Sequence, residues 1–260
     1  MSSDWSQFGI IPVFVLVFFR TAGMMLSAPL FGSTRIPRRV KVLFALVLAA
    51  GLLPGVSAPP KLPDTPLQLA FGIGGEMIFG MIMGLGLSLV FIAVSWAGEI
   101  MGQQMGINLA ESFDPQFGGQ GSLVGDMYFM LSLIVFLGIR GHLAIIDGLA
   151  GSFKALPLLS AGMDQSLFDV FVGLLTAATV LALKVAAPML VTMLVVDLAL
   201  GFIGKTMPQI NVMTSGMTLR AGLGIAILAV GLMLTSEIMS GALFDSLNVV
   251  TRIWKGGLKT

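Results

Sequence analysis

The stretch GEIMGQQMGINLAESFDPQFGGQGS, residues 98–122, changes character halfway along its length. In its first half Gly98, Gly102 and Gly106 recur every four residues, so at 3.6 residues per turn they line one face of a helix. Such a face lets another backbone approach closely. Met105, whose flexible side chain fills irregular gaps, lies between these glycines. We therefore predict that Gly98, Gly102 and Met105 pack against another part of this chain or against a partner subunit.

The second half of this stretch is irregular and carries no Lys or Arg. Asp114-Pro115 favours a turn, and the glycines of 118–121 make the backbone permissive. Irregular backbone at membrane depth is tolerated only where it is buried in protein or lines an aqueous cavity. The residues alone leave two interpretations open, an ordinary loop outside the membrane and a segment inside a pore. Phe113 and Phe117 favour the pore, because an exposed loop has little use for them.

The composition is that of an integral membrane protein. Of the 260 residues 56% are hydrophobic and 10% are charged, and the mean hydropathy is +0.99. Globular domains carry about 25% charged residues, so this chain could not cover a soluble surface. The absence of cysteine excludes disulfides and thiolate ligands, and the single histidine excludes a histidine metal cluster within one chain. A net charge of +1 gives no field that would attract nucleic acid.

We predict an all-α membrane protein of about six long helical segments, several of them kinked or broken. Asp4 and the lack of a basic region before the first apolar run favour a retained segment over a cleaved signal peptide. Gly80 and Gly84 repeat the four-residue spacing of a packing face. The apolar segments fall at about 8–30, 42–57, 67–97, 127–159, 166–203 and 219–247.

Two of these segments contain residues that predict interruptions. The segment 127–159 should break at Arg140-Gly141-His142 and again at Asp147-Gly148. The segment 166–203 contains Pro188, which predicts a kink or a division into two helices.

The chain carries none of the motifs that would predict an enzyme, a cofactor site or a metal site: it has no Walker loop, no HExxH, no GxSxG and no dinucleotide-binding glycine fingerprint.

Several ionisable residues lie in apolar segments, and each costs about 3 kcal/mol at bilayer depth unless it faces protein or water. Two interpretations are open: these residues form a relay for protons or ions, or they form structural pairs between helices. Their spacing in the sequence does not indicate one common site. They are Arg20, Glu76, Glu99, Asp147, Lys184, Asp197 and Glu237.

The positive charges give conflicting signals for the orientation in the membrane. The basic residues of 33–41 and of the tail 252–259 favour the cytoplasmic side. Lys205 and Arg220, at the two sides of the last turn, also favour that side, yet one helix cannot have both ends in the cytoplasm. Either that hairpin does not span the bilayer in the usual way or these charges are buried in a complex.

Three stretches together resemble the FliR family of flagellar type III export-gate subunits and its injectisome (SctT) counterparts. Each motif is weak alone, and their order, spacing and hydropathy make the resemblance specific over essentially the whole chain. The stretches are FRTAGMMLSAPLFGSTRIPRRVKV (19–42), GEIMGQQMGINLAESFDPQ (98–116) and GKTMPQINVM (204–213).

The resemblance implies a role in protein export, without an enzymatic activity or a cofactor. Members of this family join FliP and FliQ in a bacterial inner-membrane assembly at the flagellar basal body, through which unfolded flagellar subunits leave the cytoplasm; FlhB associates with that assembly and FlhA lies nearby. By resemblance, residues 1–165 are a FliP-like helical part and residues 166–260 a FliQ-like part. Membrane lipid and the unfolded export substrates are the other expected partners, and nucleic acid is not one.

The resemblance also implies two local roles. A plug that seals the closed pore would occupy about 106–122, with its extra glycines leaving the boundary open. Its residues would be Gly106, Glu111, Ser112, Phe113, Asp114, Pro115, Phe117, Gly118 and Gly119. A turn that contacts FlhB would consist of Lys205, Met207, Pro208, Gln209 and Asn211.

Two alternatives to the flagellar gate stay open at this point. The nearer one is the injectisome version of the same gate. The other is a secondary transporter of a small solute with the intramembrane charges as its coupling-ion site, which would favour inverted repeats and broken helices. The sequence contains no convincing inverted repeat.

Overall fold

The computed structural model describes residues 10–29, 37–57, 59, 63, 65–107, 122–159, 165–207, 216–231 and 241. These residues contain helices and turns and no strand, which confirms the predicted all-α class. The helices are α1 (Ile10–Ser27), α2 (Arg38–Leu52, continued by a 3₁₀ turn at Leu53–Gly55), α3 (Pro66–Met105), α4 (Leu123–Gly138), α5 (Gly141–Ala155), α6 (Gln165–Thr206) and α7 (Gly216–Gly231).

The helices have the length and hydropathy of membrane segments. Among the described residues, Ile10–Ser27, Pro66–Met105 and Phe171–Thr206 are long and apolar enough to cross a bilayer. The pair α4 and α5 would make a fourth crossing if it is counted as one bent span. The prediction of an all-α membrane protein is therefore confirmed.

The predicted break near residue 140 is confirmed, and the predicted break at Asp147-Gly148 is wrong. Helix α4 ends at Gly138 and α5 begins at Gly141, with an angle of 69° between them. Arg140 between them has the left-handed φ of 57°. Helix α5 continues through Asp147 and Gly148, and Gly148 is buried, so its low helix propensity is outweighed by its tertiary environment.

Helix α6 is continuous over 42 residues with Pro188 inside it, so a division at this proline is wrong, and the alternative of a kink stays a prediction. Proline removes one backbone donor, and a helix tolerates this loss where other groups satisfy the freed backbone. The carbonyl that loses its donor is that of Lys184, four residues before Pro188. The Thr192 hydroxyl donates to the Pro188 carbonyl at 2.8 Å, which is a separate bond within the helix.

The chain divides into two compact units. The first consists of Met1–Leu89, Arg140–Leu175 and Leu243–Thr260, and its described core is built from α1, the first part of α3, and α5. The second consists of Val90–Ile139 and Thr176–Ala242. In its core Phe91 packs edge-on against Phe136, with ring centroids 5.4 Å apart. The division at 165/166 was inferred from resemblance to two other proteins and stays a prediction.

Candidate functional site

A buried ion pair lies at the centre of the first unit. Arg20 of α1 is 0% exposed and Glu76 of α3 is 1% exposed, and Arg20 Nε lies 2.5 Å from Glu76 Oε2. Both residues were among the ionisable side chains that the sequence placed in apolar segments. The structure shows that these two are each other's partners.

The pair is held by groups from the end of α5. Arg20 Nη1 donates to the carbonyl of Leu156 at 3.0 Å and to the carbonyl of Ser152 at 3.3 Å. The Leu159 N–H donates to Glu76 Oε1 at 2.9 Å. The pair therefore fastens α1, α3 and residues 152–159 to one another.

Two aromatic rings enclose the same guanidinium. Arg20 Cζ lies 4.9 Å from the ring centroid of Phe79 and 4.6 Å from that of Phe153. A desolvated cation gains about 2 kcal/mol from such a ring face. Since the pair is shut off from water and Arg20 Nε and Nη1 both bind protein groups, its geometry favours structural pairing over a proton relay at these two residues.

Glycines bring the backbones of α1 and α3 into direct contact. A Cβ atom at Gly80 would overlap the carbonyl of Arg20, one at Gly84 the carbonyl of Met24, and one at Gly23 the carbonyl of Met77. The Ser27 hydroxyl adds a bond to the Met81 carbonyl at 2.9 Å. The four-residue spacing of Gly80 and Gly84 therefore marks a real helix contact, and Gly23 is its counterpart on α1.

The packing face predicted at the end of α3 makes its contacts within the second unit. A Cβ at Gly98 would lie 2.7 Å from the Val124 carbonyl oxygen, at the start of α4. Gly102 is buried. Met105 is 1% exposed and packs against Gly224 of α7, where a Cβ would lie 2.9 Å from Met105 Cε.

Gly106 ends α3 and does not extend this packing face. Its φ is 78°, a value that favours glycine, and a Cβ here would meet nothing within 4 Å. Its N–H donates to the Gln103 carbonyl at 3.0 Å. The other predicted plug residues, Glu111, Ser112, Phe113, Asp114, Pro115, Phe117, Gly118 and Gly119, lie outside the described residues.

The predicted partner-contact turn is described only at its beginning. Lys205 lies in the last turn of α6 and Met207 follows it, and both are exposed. The Met207 N–H donates to the Ile203 carbonyl at 2.8 Å. Pro208, Gln209 and Asn211 lie outside the described residues.

The remaining intramembrane charges do not gather at one point. Arg220 Nη2 lies 2.6 Å from Asp197 Oδ1 in a half-exposed ion pair between α7 and α6. Glu99, Asp147 and Lys184 are exposed, and none of them forms an ion pair with another described residue. Glu237 lies outside the described part. Within that part no group of three potential metal ligands is present.

Sequence reasoning missed most of the partners of the Arg20–Glu76 pair. Phe79 follows Glu76 by three residues, which places both on one helix face, and this spacing was an available signal. The groups from 152–159 are mainly backbone carbonyls and an amide, and residue type carries no signal for them.

Comparison with known proteins gives a consistent result over most of the chain. The family model described as bacterial export proteins, family 1, matches residues 11–246. The chain is 30% identical to the flagellar biosynthetic protein FliR of Bacillus subtilis over 226 residues, covering 85% of this chain and 86% of that protein. It is 30% identical to FliR of Aquifex aeolicus over 235 residues, covering 90% and 91%. It is also 28% identical to the surface presentation of antigens protein SpaR of Shigella sonnei over 234 residues, covering 87% and 88%.

Proposed function

The chain belongs to family 1 of the bacterial export proteins, and we propose that it is a subunit of the flagellar type III export gate in the inner membrane. With FliP and FliQ homologues it would form the pore for unfolded flagellar subunits. The observation that carries this proposal is the similarity to flagellar FliR proteins over 85–90% of the chain. As a member of an export family the chain is a component of an export apparatus and not an enzyme.

The lengths of the helices support an assembly that extends beyond the bilayer. Helices α3 and α6 have 40 and 42 residues. At 1.5 Å per residue each is about 60 Å long, about twice the thickness of a hydrocarbon core of about 30 Å. Helices of this length suit a helical gate in which part of each helix is covered by protein.

The end of α3 supports a plug that is anchored on one side. Met105 is held in the core against Gly224, and Gly106 then stands in open space with its left-handed φ. The proposed plug, 106–122, begins where the rigid helix ends. Phe113 and Phe117 would be its apolar stoppers, because water leaves a narrow apolar passage and ions cannot cross it.

We infer the other contacts in this gate from the same family membership. Residues 1–165 would take a FliP-like place and residues 166–260 a FliQ-like place. The turn that begins at Lys205 and Met207 would contact FlhB, and FlhA would lie nearby. The exposed position of both side chains is compatible with such a contact.

The injectisome gate is the second candidate, and the 28% identity to SpaR is the observation that favours it. The same subunit role would then serve virulence substrates. Membership of an export family favours either gate over the small-solute transporter.

A deletion strain tests the proposal. We expect loss of motility, loss of flagellar subunits from the culture medium, and recovery of both with a plasmid-borne copy. The tagged chain should co-purify with FliP and FliQ homologues, and native mass spectrometry should show one complex. A motile deletion strain that loses secretion of virulence substrates would assign the chain to the injectisome. A monodisperse chain that binds a small solute and no partner would contradict both gates.

A further inference from the structure

A cleft of about 340 Å³ opens between α3 and α6 in the second unit. Four of its lining residues have the spacing of one helix face of α3, and three come from α6. They are Trp96, Glu99, Ile100, Gln103, Thr179, Ala182 and Leu183.

The Glu99 carboxylate lines this cleft and forms no ion pair with another described residue. Glu99 and Gln103 are four residues apart on α3, so both point into the same cleft. Both side chains are exposed, and the Gln103 amide offers a carbonyl acceptor beside the carboxylate. Trp96, three residues before Glu99, is 50% exposed and forms an aromatic wall.

Exposed apolar side chains lie on the same two helices as the cleft. Ile92 is 37% exposed, Val180 is 44% exposed and Leu183 is 51% exposed. An apolar surface of this kind is covered by lipid or by protein. A carboxylate that is covered in this way loses its hydration, and a cation beside it offsets that loss.

The chain's own nearest candidate cation does not fill this role. Lys184 directly follows Leu183 of the cleft wall, yet it is exposed and forms no ion pair with Glu99. Of the other two cations in this unit, Arg220 is paired with Asp197, and Lys205 lies in the last turn of α6, far along that helix from Leu183.

We propose that this cleft receives an arginine or lysine side chain from an apolar helix of a partner subunit. The cation would pair with Glu99, donate to the Gln103 side-chain oxygen and lie against the Trp96 ring. Arginine suits these three groups best, because its planar guanidinium both donates in a fixed fork and stacks on aromatic faces. This inference rests on the proposed function, since it assumes that the partner is another subunit of the export gate.

Charge variants test the cleft. Tagged wild-type chain, Glu99→Gln and Glu99→Lys are expressed with the FliP and FliQ homologues, and the partner recovered per tagged chain is measured. We expect at least a tenfold loss for Glu99→Lys and a smaller loss for Glu99→Gln. The matched control is Asp147→Asn, which removes an exposed carboxylate from α5, outside the cleft. It should leave the recovery unchanged.

Three results would overturn the inference. One is assembly of both Glu99 variants at the wild-type level. Another is an equal loss with Lys184→Met, which would make Lys184 the partner of Glu99. The third is an equal loss with Asp147→Asn, which would show that the assay responds to any lost charge.

A second measurement does not depend on the folding of these variants. A photoreactive amino acid at position 103 in the otherwise native chain is irradiated in the assembled complex. A crosslink to a partner helix within one turn of a lysine or arginine supports the proposal, and crosslinks to lipid alone overturn it. If the wild-type chain recovers no partner at all, the proposed function fails first; if it recovers its partners and the crosslink falls elsewhere, only the cleft assignment fails.

Discussion

Arg20 and Glu76 are separated by 56 residues in sequence and meet as one buried ion pair, with Nε 2.5 Å from Oε2. Neither charge would be stable alone at this depth. Residues 152–159 complete the arrangement through backbone groups, so the pair determines how three parts of the first unit fit together.

Removal of one partner of this ion pair should lower the free energy of unfolding more than removal of both. Arg20→Met leaves the Glu76 carboxylate buried without its cation, and breaking a buried pair in this way costs about 3–5 kcal/mol. We expect a large drop in the midpoint of thermal unfolding of the detergent-purified protein. The double variant Arg20→Met/Glu76→Leu removes both charges and should recover part of the loss. If the double variant is as unstable as the sum of the single variants, the two side chains do not act as a pair.

The glycines of α3 should differ in how much their substitution by alanine lowers the stability of the protein. Gly80→Ala places a methyl group against the Arg20 carbonyl, and overpacking of this kind costs about 1–3 kcal/mol. Gly74→Ala, on the same helix, meets nothing within 4 Å and should be neutral or stabilising by up to about 1 kcal/mol. Comparison of their unfolding midpoints tests the close contact of α1 and α3. Equal effects would argue against it.

Deletion of residues 110–119 tests the proposed plug. We expect cells with an assembled gate to become permeable to small ions, because the apolar stoppers Phe113 and Phe117 are removed. Ion leakage is followed with a membrane-potential dye. Co-purification with the partner subunits serves as the control for assembly. An assembled deletion variant with unchanged permeability would reject the plug assignment.

The Asp197–Arg220 pair should contribute little to stability, in contrast to the buried pair. Its side chains are 41% and 39% exposed, and exposed pairs are worth about 0–1 kcal/mol. Asp197→Asn should therefore lower the unfolding midpoint only slightly. The exchange Asp197→Arg/Arg220→Asp should restore it. A loss as large as that of Arg20→Met would mean that this pair is buried in the protein as purified.

Hydropathy was sufficient to predict the fold class and the main helices, because a chain with 10% charged residues and long apolar segments is compatible with few classes other than a helical membrane protein. The break at Arg140 was also predictable, since a charge and a glycine interrupt an apolar run there. The expected break at Asp147-Gly148 and the expected division at Pro188 failed for one physical reason. Local propensity predicts where a helix is weak, whereas tertiary packing decides whether it ends.

The site was predictable residue by residue but not as an arrangement. Arg20 and Glu76 stand out in sequence as charges in apolar segments, yet no periodicity connects positions on two helices. Gly98 contacts α4 and Met105 contacts α7, and the identity of these neighbours depends on the tertiary fold. Their role in subunit packing stays a prediction. Phe113 and Phe117 stay predictions.

The glycine contact between α1 and α3 has a mechanical consequence. Where two helices meet through side chains, the layer between them can be compressed or repacked by rotamer changes. Here the backbones of α1 and α3 are in direct contact at Gly23, Gly80 and Gly84, and the Arg20–Glu76 pair joins the same two helices. This helix pair should therefore move as one stiff body under load. In the proposed gate, any widening would therefore come from the contacts with neighbouring subunits or from the proposed plug.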